Sequence, residues 1–175
     1  MRIIKSIINI TTATIVFVSC IKIQQLPPVP RVEFTSFQVF DTLDILGNEC
    51  KGGRLNFYFE DGDGDLGLHP AESDENGDTT NLFLTLFRKT GGIMVEVPEN
   101  DPIKPSPYRI PYLERTGQNK ILKGTISVTI IYFLYDTAST DTVRYDFYIK
   151  DRAGNISNTA ATSEIALSAN DLYKF

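Results

Sequence analysis

At 175 residues the chain is long enough for one domain with a sizeable core plus short extensions. A formal charge of −5, from 22 acidic against 17 basic residues, argues against nucleic acid and anionic headgroups as partners. Two cysteines and a single histidine leave too little for a disulfide scaffold or a zinc cluster.

The chain opens on a short positive stretch, Met1-Arg2-Ile3-Ile4-Lys5, followed by a mostly apolar run from Ile7 to Val18. That run is too short to span a bilayer, so the pattern predicts a cleaved signal peptide over residues 1–19. It ends in Phe17-Val18-Ser19-Cys20, which resembles a bacterial lipobox with Phe17 where Leu is usual. The resemblance implies that Cys20 becomes the first residue of the mature protein and carries a diacylglycerol and an acyl chain. Loss of residues 1–19 removes Arg2 and Lys5 and no acid, which takes the formal charge from −5 to −7. Attachment to a membrane would then come from the acyl chains, of which more than one is needed for stable anchoring. Residues 20–31, with Pro27-Pro28-Val29-Pro30, read as an extended tether, and residues 32–175 as the domain. With Cys20 used by lipid, Cys50 is left as an incidental thiol in a loop beside Lys51-Gly52-Gly53.

The first strand is expected over Val32–Phe40, where the positions of Phe37, Val39 and Phe40 break strict alternation and suggest a bulge. A loop through Gly47, Gly52 and Gly53 leads to a strand over Arg54–Glu60, with Leu55, Phe57 and Phe59 on one face. Leu82–Arg88 is apolar on both faces and so reads as a central strand, joined by a Gly91-Gly92 turn to Ile93–Val97. Four prolines keep residues 98–107 out of any sheet, and Tyr108–Leu113 is at best an edge strand. Alternation returns over Ile121–Leu134 and again over Thr142–Lys150, where Val143, Tyr145, Phe147 and Ile149 share a face. A last strand runs through Thr162–Leu167, and no helical period is sustained beyond the signal segment. Seven to eight strands at this spacing predict an all-β, immunoglobulin-like or fibronectin type III-like antiparallel β-sandwich.

Between the second and third strands lies Asp61-Gly62-Asp63-Gly64-Asp65-Leu66-Gly67. The glycines let the backbone fold so that three carboxylates converge. Converged carboxylates repel by roughly 1–3 kcal/mol per pair at about 5 Å, and a hard cation relieves that repulsion. Calcium accepts Asp carboxylates and backbone carbonyls in flexible geometry, so the expected ligands are Asp61, Asp63, Asp65, Gly67 through its carbonyl, and Glu72. The EF-hand template fails here, because Leu66 stands at the glycine position, Pro70 lies in the loop and a strand precedes it. If the strands over 54–60 and 142–150 run toward the same pole, their following loops become neighbours. Asp151 and Asn155 then join the candidate ligands. Asp and Asn in such turns also bond their own loop backbone, which is the alternative for every one of them.

Three passages together resemble a family of small outer-membrane lipoproteins of the Bacteroidota with an immunoglobulin-like domain. They are Phe59–Gly67 with its Asp-Gly-Asp-Gly-Asp-Leu-Gly motif, Tyr108–Leu113 with Gly117-Gln118-Asn119-Lys120, and Tyr148–Asn158. The resemblance covers nearly the whole mature chain and implies an outer-membrane lipoprotein with a sandwich fold, with no catalytic residue to carry over. Lipoproteins of that phylum exported to the surface carry acids just after the lipidated Cys. Ile21-Lys22-Ile23-Gln24-Gln25 has none, which favours the periplasmic face.

No nucleophile elbow or zinc-binding His pair is present in the sequence, so a non-enzymatic role is expected. The expected role is that of an accessory subunit engaging a protein of the cell envelope. The alternative is a glycan-binding lipoprotein of a carbohydrate-uptake system. With no Trp in the chain, Tyr108 and Tyr112, with Tyr58 and Tyr148 on strand faces, would supply the stacking platform.

Overall fold

The computed structural model describes residues 26–70, 79–114, 120–133 and 141–175. Residues 1–25, and with them the signal segment and Cys20, lie outside the described residues, as does Glu72. No helix among the described residues is long and apolar enough to cross a membrane.

Among the described residues nine strands follow one another: β1 (Arg31–Leu43), β2 (Glu49–Asp61), β3 (Leu82–Thr90), β4 (Ile93–Glu96), β5 (Leu122–Tyr132), β6 (Thr142–Ile149), β7 (Ala160–Ala161), β8 (Ile165–Ala166) and β9 (Leu172–Lys174). They form two antiparallel sheets, one in the order β5-β2-β1-β9 and one in the order β4-β3-β6-β7, with β8 also on β6. This is the all-β sandwich that the alternating sequence predicts.

The core lies between the inner rows of the sheets. On β1 the register shifts between Phe34 and Ser36, so that Val32 and Phe34 before the bulge and Phe37 and Val39 after it are all buried. Leu55, Phe57 and Phe59 on β2 face Val143, Tyr145, Phe147 and Ile149 on β6. Phe37 stacks on Tyr145 at 5.6 Å between ring centroids, and Phe57 meets Phe147 at 5.1 Å. Each such side chain contributes about 1.5–3 kcal/mol by leaving water. A hydroxyl pair crosses the core between sheets: Tyr132 on β5 and Tyr145 on β6 lie 2.7 Å apart, both fully buried. Strand β3 is central, as expected, with Leu82, Leu84 and Leu86 inward. On its outer face Phe83 stacks on Tyr148 at 5.0 Å.

Several expectations change. Gly52 and Gly53 belong to β2 rather than to a loop, and only Gly47 sits in the turn, at φ +84°. The reason is steric: a Cβ on Gly53 would lie 2.4 Å from the Phe37 ring, and one on Gly52 would lie 2.6 Å from Phe40. The glycines make room for aromatic rings from the partner strand. Cys50 is accordingly a buried strand residue, not a loop thiol, and burial pushes its pKa up. The expected last strand over 162–167 breaks into short β7 and β8, and β9 is an addition the pattern did not announce. Tyr108–Leu113 forms isolated bridges rather than a strand, Leu82 with Tyr108 and Leu68 with Pro111. Residues 98–107 stay outside the sheets, held by a bidentate pair from Arg88 to Asp101 at 2.8 and 3.1 Å.

Candidate metal centre

Strand β2 delivers the first acid of the loop. Leu55, Phe57 and Phe59 occupy its inward positions, and two residues on the same parity comes Asp61, 1% exposed. The inward row of β6 likewise runs Val143, Tyr145, Phe147, Ile149, and its continuation is Asp151, 0% exposed. Two carboxylates therefore end two facing core rows at one pole of the sandwich.

The loop after β2 is folded back by its own contacts. Leu66 N donates to Asp61 Oδ2 at 2.8 Å, and Leu66 and Leu68 are buried as plugs under the loop. Leu68 N donates to the Ile110 carbonyl and Tyr112 N to the Leu68 carbonyl, which ties the loop to residues 110–112. Gly67 has φ +91°, and a Cβ there would lie 2.4 Å from the Pro111 carbonyl oxygen. Gly62 donates its N–H to the Pro27 carbonyl at 3.1 Å, and a Cβ at Gly62 would strike that oxygen at 2.2 Å. The segment just before β1 thus meets the acidic loop at Leu26 and Pro27, while Pro28 and Val29 stay exposed.

Within this frame Asp61, Asp63 and Asp65 gather, each offering one carboxylate oxygen within 4.8 Å of the others. Oδ1 of Asp61 and Oδ1 of Asp65 are buried and find no hydrogen-bond donor among the described residues. Burial, then the Asp63 carboxyl beside it, push the Asp61 carboxyl up to about 7. Asp65 is raised by burial and then by the charges of Asp151 and Asp63. Asp151 is raised by burial too, against the downward pull of its bonds from Asn155. Four acids thus crowd a poorly solvated pole, and the cost falls on their charged forms.

The loop after β6 is the expected neighbour. Ala153 N donates to Asp65 Oδ2 at 3.1 Å, and Arg152 Nη1 donates to the Gly67 carbonyl at 2.7 Å. Two candidates are engaged by protein groups. The Gly67 carbonyl is turned to a guanidinium, which a cation does not share comfortably. Asn155 is engaged within its own turn: its carbonyl accepts from Asp151 N at 3.1 Å, and its N and Nδ2 donate to Asp151 at 2.7 and 2.8 Å. Asp151 bounds the cluster from the side and is absent from its innermost group of oxygens. Its part is electrostatic.

Two tyrosines of the glycan alternative, Tyr108 and Tyr112, are used in packing. Tyr108 pairs with Leu82 through its backbone and packs against the core, and burial raises its hydroxyl pKa. The Tyr112 ring stacks on His69 at 3.6 Å, with the Arg152 guanidinium 5.2 Å from its centroid. Sequence reasoning missed Arg152, which bridges the two loops, and the docking of Leu26 and Pro27. It also missed the burial of Asp61 and Asp151, although the parity of the rows leading to them carries that signal. No protein family, no curated protein and no solved structure matches the chain.

Proposed function

We propose that this is a non-catalytic, lipid-anchored β-sandwich serving as an accessory, protein-interacting subunit at the outer membrane, with one pole stiffened by calcium. The observation that carries the calcium part is Asp61, a buried carboxylate with one oxygen that finds no donor among the described residues, set within 4.8 Å of oxygens from Asp63 and Asp65. An oxygen-only donor set of carboxylates at a strand-to-loop junction suits Ca²⁺ better than a small ion that demands octahedral order. Asp61, Asp63 and Asp65 would hold the ion, and Asp151 would add negative field. Its effect is to replace mutual repulsion by attraction and so to fix the two loops, Leu66 to Leu68, and the segment entering β1 together. The anchor at Cys20 and the outer-membrane placement rest on the lipobox and on the family resemblance.

Calcium titrated into chelator-stripped protein tests the site. With a dissociation constant near 0.1 mM, 10 mM calcium adds about 2.7 kcal/mol and raises the melting temperature by about 5–10 °C. An unchanged melting temperature at 10 mM calcium would remove the metal from the proposal. Recovery of an envelope protein with the full chain from mild detergent, dependent on the folded domain, tests the accessory role.

A further inference from the structure

The margins of the two sheets are unequal. Strand β9 has three residues, β4 has four and β7 has two, so three of the four edges offer little to pair with. At the start of β1, ahead of β9, a side chain caps the edge: Asn158 Oδ1 accepts from Val32 N and Asn158 Nδ2 donates to the Val32 carbonyl, both at 2.9 Å. Strand β5 is different. It runs for 11 residues in unbroken register with β2, from Lys51 opposite Tyr132 to Asp61 opposite Leu122. Its other side pairs with no strand among the described residues. It contains no proline and no bulge, and after Lys123 it has no charge. Proteins protect long edges with charge, proline, bulges or cover, because a flat bare edge pairs with whatever strand arrives.

The residue pattern says what kind of strand fits. Thr125-Ile126-Ser127-Val128-Thr129 reads the same in both directions by residue class: hydroxyl, β-branched apolar, hydroxyl, β-branched apolar, hydroxyl. Its centre, Ser127, is also the centre of β5. An antiparallel copy turned about Ser127 sets Thr125 opposite Thr129 and Ile126 opposite Val128. Both are favourable cross-strand pairs. The strand's one charge, Lys123, then meets Ile131, so no like charges face each other. Thr125, Ser127 and Thr129 are exposed, and Ile126 and Val128 are only partly buried, so pairing would cover apolar surface that the monomer leaves half open.

We propose that β5 is a homodimerisation edge, pairing antiparallel with β5 of a second copy about Ser127 and joining two four-stranded sheets into one continuous sheet. An edge ladder buries less than a standard interface of about 1,600 Å², so the pair is weak in solution and is best captured covalently.

The test uses the full chain, solubilised in mild detergent and gently oxidised, carrying Ser127→Cys or Lys123→Cys. In the proposed pair two residues at position 127 are neighbours, whereas two at position 123 are about 27 Å apart. The expected result is a disulfide-linked dimer from Ser127→Cys at about fivefold or more the yield from Lys123→Cys or the unsubstituted chain. Adding Thr125→Lys and Thr129→Lys opposes lysines across the edge and should abolish the dimer, with the melting temperature unchanged within about 2 °C, since both sites are exposed. Equal yields from positions 127 and 123 would overturn the proposal. So would a dimer that survives the two lysines, or cross-linking of the Ser127→Cys variant to a different protein, which would assign the edge to a foreign strand.

Discussion

Asp61 takes a core position with a side chain that water would otherwise solvate. Its Oδ2 is answered by Leu66 N, and its Oδ1 is buried without a donor among the described residues. Replacement by Asn keeps an acceptor for Leu66 N and removes the charge. In metal-free protein at pH 8, Asp61→Asn should therefore raise the melting temperature, by about 3–6 °C for 1–2 kcal/mol of relieved repulsion. The same substitution should erase the calcium-induced shift. A thermal melt of both proteins with and without calcium reads both effects, and a fall in stability on removing the charge would show that Asp61 is already satisfied. The position is legible in the sequence only in hindsight of parity. Counting by twos from Leu55 arrives at Asp61, and from Val143 at Asp151. Reading the acids as a turn, rather than as the last members of two core rows, concealed their burial.

At the scale of elements, the alternating apolar residues announce β2, β3, β5 and β6, because in each the local period matches the face that is buried. The neighbouring of the loops after β2 and β6 follows once both strands run toward one pole, as they do here. What local pattern cannot carry is complementarity between distant residues. Gly53 reads as a loop residue until the Phe37 ring is placed against it, and Leu26 and Pro27 read as tether until the Gly62 N–H is seen to claim the Pro27 carbonyl. Short strands such as β7, β8 and β9 have too few residues to show a period and are fixed by the sheets they join. The Tyr132–Tyr145 pair is a second long-range feature, joining β5 to β6 across the core. Tyr145→Phe leaves the Tyr132 hydroxyl one partner short and should cost about 1–2 kcal/mol. The double change with Tyr132→Phe should cost less than the sum of the two single changes. Additive losses in denaturant unfolding would show that the two hydroxyls are not coupled.

For the whole molecule, the raised carboxyls set the dependence of stability on pH. Asp61, Asp65 and Asp151 hold protons more tightly when folded than when unfolded. Their contribution is fully present below the unfolded carboxylate range near 4 and is lost as pH rises toward about 7, the value at Asp61. Asp41 and Asp44 act in the opposite sense. The first is lowered by its bonds from Lys51 and Asn170 and the second by those from Asn48, so they favour the folded state above about pH 4 and lose that effect as acid protonates them. Metal-free protein should accordingly melt highest near pH 4–5 and lower at pH 8. With calcium the slope between pH 5 and 8 should reverse, since protons and the ion compete for the same oxygens. Melting curves across that range, with and without 5 mM calcium, check the sign; parallel curves would mean that the acids and the ion do not meet.

The bond from Gly62 to the Pro27 carbonyl also fixes where a mechanical load would enter. Tension on the chain ahead of Leu26 does not arrive first at the end of the β1–β2 ladder, where pairs would open one after another like a zipper. It arrives at the acidic loop, which is plugged into the core by Leu66 and clasped by Arg152. That loop is a strain relief, as on a cable where it enters its housing. Its grip on Leu26 and Pro27 decides whether the domain turns with the chain that leads to it or swivels on that chain.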